Sequence, residues 1–216
     1  MEKRLSNFTL FLFDMDGTLV KFKLDFEHLK KVTRKILENK GIYLEVKGSL
    51  IETLKQLRPV FSEEAEYIEF VQKIEKIIVD HEIEASEKAE AFPQSIELLK
   101  ILKSQGKNIG IITRNSKTAC MKTLEISGLM EYMDVIVTRE DVEKVKPDPE
   151  HVELAIRNLN KKAEETVVIG DHKYDIASGK RAGCFTIGIL SGVSSEELLN
   201  EADLIVSSLD EIISFL

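Results

Sequence analysis

Residues 8–18 read FTLFLFDMDGT and contain the features that decide the fold. The nearly unbroken apolar run over 8–13 is too short for a membrane span and suits a buried strand. It stops at Asp14 with no small-residue cleavage site behind it, so no export signal is visible. Asp16 follows two residues later, and Gly17 lets the chain turn sharply just beyond the carboxylates. The segment predicts a strand whose carboxyl end presents two acidic side chains.

Outside residues 21–90, short β-branched or aromatic runs alternate with helical patterns. This alternation is typical of a parallel sheet covered by helices. The predicted strands are Phe8–Phe13, Asn108–Ile112, Asp134–Val137, Thr166–Ile169, Cys184–Ile189 and Leu204–Val206. The predicted helices are Gln94–Ser104, Ser116–Ser127, Pro149–Leu159, Tyr174–Ala182, Ser195–Asn200 and Leu209–Phe215. The predicted fold class is α/β, a Rossmann-like doubly wound, mainly parallel sheet with an inserted α-helical cap domain.

Residues 21–90 contain three helical patterns and no strand pattern. A helical block inserted after the first strand of an α/β sheet is interpreted as a cap. The predicted domains are therefore an α/β core made of residues 1–20 and 91–216, and a cap made of residues 21–90. Short linkers are expected near Lys21–Leu24 and Ala91–Pro93.

The chain has an acidic charge balance. Its 30 Lys and Arg residues against 38 Asp and Glu residues give a net charge of −8, which argues against a general binder of nucleic acid or anionic membranes. The bias is reversed over residues 21–58, which carry ten basic and five acidic side chains. Those residues form either a solvated helix face or a surface turned toward an anionic ligand.

Cysteine usage and the missing export signal bear on location. Cys120 and Cys184 lie 64 residues apart with no paired spacing, so neither a disulfide framework nor a zinc site is indicated. We therefore expect two reduced thiols and a cytoplasmic protein.

Polar residues suited to ligand binding or catalysis recur near the other predicted strands. Thr113, Arg114 and Asn115 form a donor-rich turn that enters a helix, an arrangement that suits a phosphate, although Thr113 alone could be a helix cap. Lys146 precedes Pro147 in the sequence KPDP, and the two prolines of that run stiffen the backbone around the ammonium group. An ordinary helix start explains the prolines better than it explains the lysine.

Two further carboxylates follow the fourth predicted strand. Asp171 and Asp175 lie four residues apart beside Gly170, in a loop that enters a helix. One of them could cap the helix, but two beside a glycine resemble a cation site. Loops at the carboxyl ends of neighbouring strands converge in a doubly wound sheet, so these carboxylates should meet Asp14 and Asp16. Oxygen ligands without a His or Cys cluster indicate Mg²⁺ rather than zinc.

The four segments, in this order and spacing, resemble the motifs of haloacid dehalogenase superfamily phosphohydrolases. The resemblance spans nearly the whole chain, including the cap after the first motif, and the layout is most similar to phosphoglycolate phosphatases. It implies a Mg²⁺-dependent phosphatase that hydrolyses a small phosphorylated metabolite, a phosphoglycolate-like phosphomonoester, through an aspartyl-phosphate intermediate.

The resemblance also implies a role for each motif residue. Asp14 would be the nucleophile, and Asp16 the general acid and then the general base. Lys146 would offset the repulsion between the carboxylate of Asp14 and the anionic phosphoryl group. The implied metal ligands are Asp14, Asp16 through its backbone carbonyl, and Asp171. Asp175 would be either a further ligand or a hydrogen-bond acceptor that contacts the ligands without binding the metal. The implied substrate-binding residues are Thr113, Arg114, Asn115 and Lys146.

Two alternatives remain open from the sequence. A sugar phosphomutase would keep the same intermediate and return the phosphoryl group to a sugar. A catalytically inactive metal-binding scaffold would keep the fold without the reaction. Dehalogenases of the superfamily lack the second carboxylate, so Asp16 favours phosphoryl chemistry. The expected partner is a small anionic phosphorylated metabolite, with no nucleic acid and no membrane, and the oligomeric state is left open.

Overall fold

A computed structural model of the chain describes residues 5–21, 26–43, 50–191 and 195–216. The chain divides into two compact units, Lys23–Ala85 and a larger one made of Met1–Phe22 with Ser86–Leu216. The interpretation of the smaller unit as a cap stays a prediction. Most of the expected linker at Lys21–Leu24 lies outside the described residues.

The larger unit is built on six parallel strands. They are β1 (Leu10–Phe13), β2 (Asn108–Ile112), β3 (Val135–Val137), β4 (Thr166–Gly170), β5 (Phe185–Ile189) and β6 (Leu204–Val206). Their order in the sheet is β3-β2-β1-β4-β5-β6, and Leu12 of β1 lies in register with Gly110 of β2 and Val168 of β4. The order reverses between β1 and β4, which is where ligands bind in doubly wound sheets. The predicted α/β fold class is confirmed.

The described part of the chain contains eight α-helices. They are α1 (Phe26–Asn39), α2 (Leu50–Lys55), α3 (Glu64–Ser86), α4 (Pro93–Ser104), α5 (Lys117–Ile126), α6 (Glu150–Asn158), α7 (Lys173–Arg181) and α8 (Leu209–Ser214) among the described residues. The helix expected over Ser195–Asn200 is instead a 3₁₀ turn at Glu196–Leu199, because so short a segment leaves little room for i to i−4 bonds. None of the described helices combines the length and hydrophobicity needed to cross a bilayer.

The opening strand is buried on both faces. Phe11 and Phe13 pack into one hydrophobic cluster, while Leu10 and Leu12 pack into another. Successive side chains of a strand point to opposite faces, so a strand covered on both sides reads as a continuous apolar run. This burial fixes the carboxyl end of β1, and with it the position of Asp14.

The smaller unit has its own helical core. Leu29 and Leu37 of α1, Leu54 of α2, and Ile74 and Ile78 of α3 belong to one buried cluster. These residues recur at the spacing that places side chains on one helix face. Burial of these faces holds α1, α2 and α3 together.

The two cysteines lie in the larger unit, free and buried. Burial raises the pKa of each thiol to about 12. Neither is a reactive thiolate at neutral pH.

Candidate active site

The centre of the site is the ammonium group of Lys146. Its Nζ donates hydrogen bonds to Asp14 Oδ1 at 2.6 Å, to Asp175 Oδ1 at 2.6 Å and to the carbonyl of Ile112 at 2.8 Å. Lys146 is 1% exposed. A buried ammonium needs acceptors for its three donors, and these residues supply all three. The structure thus brings Asp14 and Asp175 together around the predicted lysine.

The loop between β3 and α6 carries this lysine. The carboxylate of Glu150, in the first turn of α6, accepts from the backbone N–H groups of Glu143 at 3.0 Å and Lys144 at 2.9 Å. Asp148 Oδ1 accepts from the N–H of Glu150 at 3.2 Å. These local bonds fold the loop back on the helix start, so that Lys146 enters the interior.

The electrostatics of the pair follow from its burial. Burial raises the pKa of Asp14 to about 6; the Lys146 cation acts in the opposite direction, and Asp175 adds to the rise. Burial acts to lower the pKa of Lys146, but the two carboxylates outweigh it and hold that pKa above its ordinary value. The charges therefore depend on one another, as expected for ion pairs removed from water.

Asp171 completes a cluster of three carboxylates. One oxygen each from Asp14, Asp171 and Asp175 lie within 4.8 Å of one another. Asp171 is 4% exposed and accepts a long hydrogen bond, 3.5 Å, from the hydroxyl of Thr18. Hard oxygen donors without nitrogen or sulfur suit Mg²⁺, so the residues present fit the cation that the sequence predicts.

Two glycines allow the loops to approach this closely. Gly17 has a φ of +82°, and a Cβ there would lie 2.5 Å from Asp171 Oδ2. A Cβ at Gly170 would lie 2.3 Å from the Cβ of Asp175. Both distances are far below van der Waals contact, so a side chain at either position would displace a carboxylate of the cluster.

Asp16 lies beside the turn that follows β2. Its Oδ2 accepts a hydrogen bond of 2.6 Å from Asn115 Nδ2. The backbone N–H of Asn115 also donates to the hydroxyl of Thr113, at 3.2 Å. The structure thus places Thr113 and Asn115 at the site, with the Asn115 amide directed to Asp16. Their predicted contacts with phosphoryl oxygens stay predictions.

Arg114 has neighbours that the sequence did not indicate. Its guanidinium carbon lies 5.4 Å from the centre of the Tyr174 ring, in the first turn of α7. Its carbonyl accepts from Arg139 Nη1 at 3.0 Å. Nothing in the local pattern around Tyr174 sets it apart from an ordinary helix residue, so sequence reasoning missed it.

His172 caps the start of α7. Its Nδ1 accepts from the N–H of Tyr174 at 3.2 Å, and its own N–H donates to Asp175 Oδ2 at 3.0 Å. Burial lowers the pKa of His172; Asp175 opposes this, and the nearby cations add to it. The neutral ring that accepts from Tyr174 is therefore favoured.

His151 is a second residue that sequence reasoning missed. It is fully buried in α6, and neither ring nitrogen has a partner at good hydrogen-bond geometry among the described residues, although the backbone of Thr113 is near enough to act to raise its pKa. Burial lowers its pKa to about 4, and the cation of Lys146 acts in the same direction. Its spacing from Ala155 on the buried stripe of α6 is the signal that could have revealed it.

Residues 11–189, which include every residue of this site, match the family of haloacid dehalogenase-like hydrolases. The chain belongs to this family. The predicted phosphohydrolase of the haloacid dehalogenase superfamily is thereby confirmed.

Relatives of this haloacid dehalogenase-like hydrolase cover most of its length. Pyrophosphatase PpaX of Halalkalibacterium halodurans is 29% identical over 196 residues, 89% of this chain and 88% of the relative. A structure described as a haloacid dehalogenase-like hydrolase from Bacteroides fragilis is similar with a TM-score of 0.73 and 27% identity, over 95% of this chain and 99% of the other.

A β-phosphoglucomutase from Clostridium difficile also has a TM-score of 0.73, at 23% identity, over 96% of both chains. At that identity the likeness concerns the fold alone. It therefore does not favour mutase chemistry for this member of the family.

Proposed function

We propose that the protein is a Mg²⁺-dependent phosphatase that hydrolyses a small phosphorylated metabolite through an aspartyl-phosphate on Asp14. One observation carries the proposal. A buried ammonium group, Lys146 Nζ, lies 2.6 Å from the carboxylate of Asp14, at the carboxyl end of the central strand. A carboxylate paired with a fixed cation can approach an anionic phosphoryl group that would otherwise repel it.

The first chemical step belongs to Asp14 and Asp16. A carboxylate oxygen of Asp14 attacks phosphorus, a P–O bond forms, and the bond from phosphorus to the leaving oxygen breaks. Asp16 donates a proton to that leaving oxygen. Its contact with Asn115, 2.6 Å between Oδ2 and Nδ2, holds the carboxyl group beside the turn after β2.

The second step restores the enzyme. Asp16, now ionised, takes a proton from a water molecule, whose oxygen attacks the phosphorus of the aspartyl-phosphate. The bond between phosphorus and Asp14 breaks, phosphate leaves, and Asp14 returns as a carboxylate. Thr113 and the N–H groups at the start of α5 are suited to hold the phosphoryl oxygens throughout.

The carboxylates of Asp14 and Asp171 and the backbone carbonyl of Asp16 would hold Mg²⁺. When bound, the ion neutralises charge on the transferring group. One carboxylate oxygen of Asp175 accepts from Lys146 and the other accepts from the N–H of His172. We infer that Asp175 orients the metal ligands without binding the ion itself.

Two substrates have specific support. Phosphoglycolate follows from the resemblance of the motifs to phosphoglycolate phosphatases. Inorganic pyrophosphate follows from the relative named pyrophosphatase PpaX, which matches 89% of the chain. Both are small and carry a second anionic group. The acidic chain can bind such anions because the metal and Lys146 reverse the charge locally.

The test is phosphate release from phosphoglycolate, pyrophosphate and p-nitrophenyl phosphate with Mg²⁺. Asp14→Asn should lose activity by ~10³-fold or more, because the amide is a poor nucleophile. Asp210→Asn, an exposed carboxylate of α8, is the matched control and should match wild type. An Asp14→Asn protein as active as wild type would refute the nucleophile assignment.

Product analysis separates the alternatives. A phosphomutase would need a bisphosphate activator and release almost no phosphate. A scaffold without catalysis would bind Mg²⁺ and leave every phosphate ester intact. We expect net phosphate release, and a phosphorylated peptide containing Asp14 when the reaction is quenched with acid.

A further inference from the structure

Arg114 and Tyr174 form a contact that spans the end of the central strand. Arg114 follows β2 and Tyr174 follows β4, and these two strands pair with opposite edges of β1. The guanidinium carbon lies 5.4 Å from the ring centre. The contact therefore joins the loops on either side of Asp14, which directly follows β1.

The Tyr174 ring is held in place. Its backbone N–H donates to His172 Nδ1, and the two rings meet edge to face with centroids 4.5 Å apart. The ammonium of Lys173 lies 5.7 Å from the ring centre and adds a second cation to this surface. The ring is thus a fixed support on which a guanidinium can stack.

Among the described residues, the Arg114 guanidinium has no protein acceptor for its own donors. Across residues 5–21, 26–43, 50–191 and 195–216, no carboxylate or carbonyl oxygen makes an ion pair or hydrogen bond with it. The backbone is nevertheless fixed, because the Arg114 carbonyl accepts from Arg139 at 3.0 Å. A half-buried guanidinium that is stacked but unpaired has donors available in its plane for a ligand.

The neighbouring residue relates this guanidinium to the reaction. Asn115 contacts the carboxylate of Asp16 at 2.6 Å, and Asp16 is the proposed proton donor to the leaving oxygen. Arg114 is therefore one residue from the contact that marks the leaving-group side. A planar guanidinium binds phosphate or carboxylate with two parallel hydrogen bonds.

We propose that Arg114, stacked on Tyr174, is a specificity site for a second anionic group, phosphate or carboxylate, on the leaving group of the substrate. This inference rests on the proposed phosphatase function and narrows its substrate class. Arg114 contacts the ligand directly, while Tyr174 is a positioning residue that acts through it.

The test compares substrates with and without a second anion. Values of kcat/KM are measured for pyrophosphate, phosphoglycolate and p-nitrophenyl phosphate with wild type and Arg114→Gln. The variant should lose about 10- to 100-fold more activity toward at least one of the first two than toward the third, mainly through KM. Loss confined to pyrophosphate identifies phosphate as the second anion, and loss confined to phosphoglycolate identifies carboxylate.

Matched variants exclude a structural effect. Tyr174→Phe keeps the ring and should keep the wild-type preference, whereas Tyr174→Leu should shift it toward that of Arg114→Gln. Lys162→Gln removes an exposed positive charge just before β4, at the amino ends of the strands, whereas the site lies at their carboxyl ends. It should leave kcat/KM for all three substrates unchanged. Equal losses on all three substrates in Arg114→Gln, or a wild-type preference in Tyr174→Leu, would overturn the proposal.

A binding experiment separates this proposal from the phosphatase function. Imidodiphosphate cannot be hydrolysed at its bridge, and its affinity can be measured by calorimetry beside that of orthophosphate. Arg114→Gln should weaken imidodiphosphate more than orthophosphate by about tenfold. Wild type that binds imidodiphosphate through Arg114 but hydrolyses nothing would refute only the phosphatase; equal weakening of both ligands would refute the second-anion site.

Discussion

Lys146 Nζ lies 2.6 Å from Asp175 Oδ1, and both side chains are almost fully buried. The same nitrogen lies 2.6 Å from Asp14. Lys146→Met keeps the side-chain length but leaves two carboxylates without their cation. We expect it to lower the free energy of unfolding at neutral pH by about 3–5 kcal/mol, measured in urea without Mg²⁺.

The control for this variant is Lys103→Met. Lys103 pairs with Asp134 at 2.6 Å, but the two side chains are 31% and 27% exposed. Its loss should cost below about 1 kcal/mol. Similar costs for both variants would show that burial of the Lys146 pair does not matter.

Gly17→Ala tests the close approach of the first loop to Asp171. Both Gly17 and Gly128 have positive φ, +82° and +70°, but a Cβ would meet Asp171 only at Gly17 and would meet nothing within 4 Å at Gly128. Each alanine should cost about 1 kcal/mol of backbone strain. Only Gly17→Ala should also abolish activity. A comparable activity loss in Gly128→Ala would indicate strain rather than displacement of Asp171.

His151 predicts a pH dependence of stability. Its pKa is about 4 in the folded protein against an ordinary 6.5, so the unfolded chain takes up the proton first as pH falls. The contribution of His151 to stability should therefore decline from about pH 6.5 to about pH 4, by about 3 kcal/mol, and level off below that range. Asp14, whose pKa is raised to about 6, changes stability in the opposite direction over part of the same range.

His151→Leu isolates this contribution. The leucine has no group to protonate, and it leaves no buried nitrogen without a partner, so the variant should be at least as stable as wild type. Urea unfolding at a series of pH values gives the difference between the two proteins. A difference that does not change with pH would contradict the burial of a neutral imidazole.

The cysteines should resist alkylation in the native state. With pKa values of about 12 for Cys120 and Cys184, only ~10⁻⁴ of either thiol is ionised near pH 8. Mass spectrometry after iodoacetamide treatment should show little labelling of the folded protein and rapid labelling of both residues in urea. Rapid labelling of native Cys120 would show that α5 separates from the core around it.

Mg²⁺ should stabilise the folded protein by mass action. At a concentration 100 times its Kd, the ion adds about 2.7 kcal/mol and raises the melting temperature. Asp171→Asn should lose most of this gain, because Asp171 belongs to the carboxylate cluster. Asp210→Asn should retain it. An unchanged response in Asp171→Asn would place the ion elsewhere.

The sheet was predictable because its strands are buried on both faces and read as continuous apolar runs. All six predicted strands lie within two residues of those observed. The meeting of Asp14, Lys146 and Asp175 was also predictable, since loops at the ends of neighbouring parallel strands converge. The contact between Arg114 and Tyr174 was not predictable, because it depends on side-chain directions in two loops distant in sequence.

The order of the strands has a consequence for synthesis of the protein. β1 emerges early, yet Asp14 obtains its ammonium partner 132 positions later, and Thr18 obtains Asp171 153 positions later. A growing chain that has left the ribosome only as far as β3 contains Asp14 and Asp16 but neither Lys146 nor Asp171. The proposed mechanism uses both Lys146 and Asp171, so we expect activity to appear only once β4 has paired with β1.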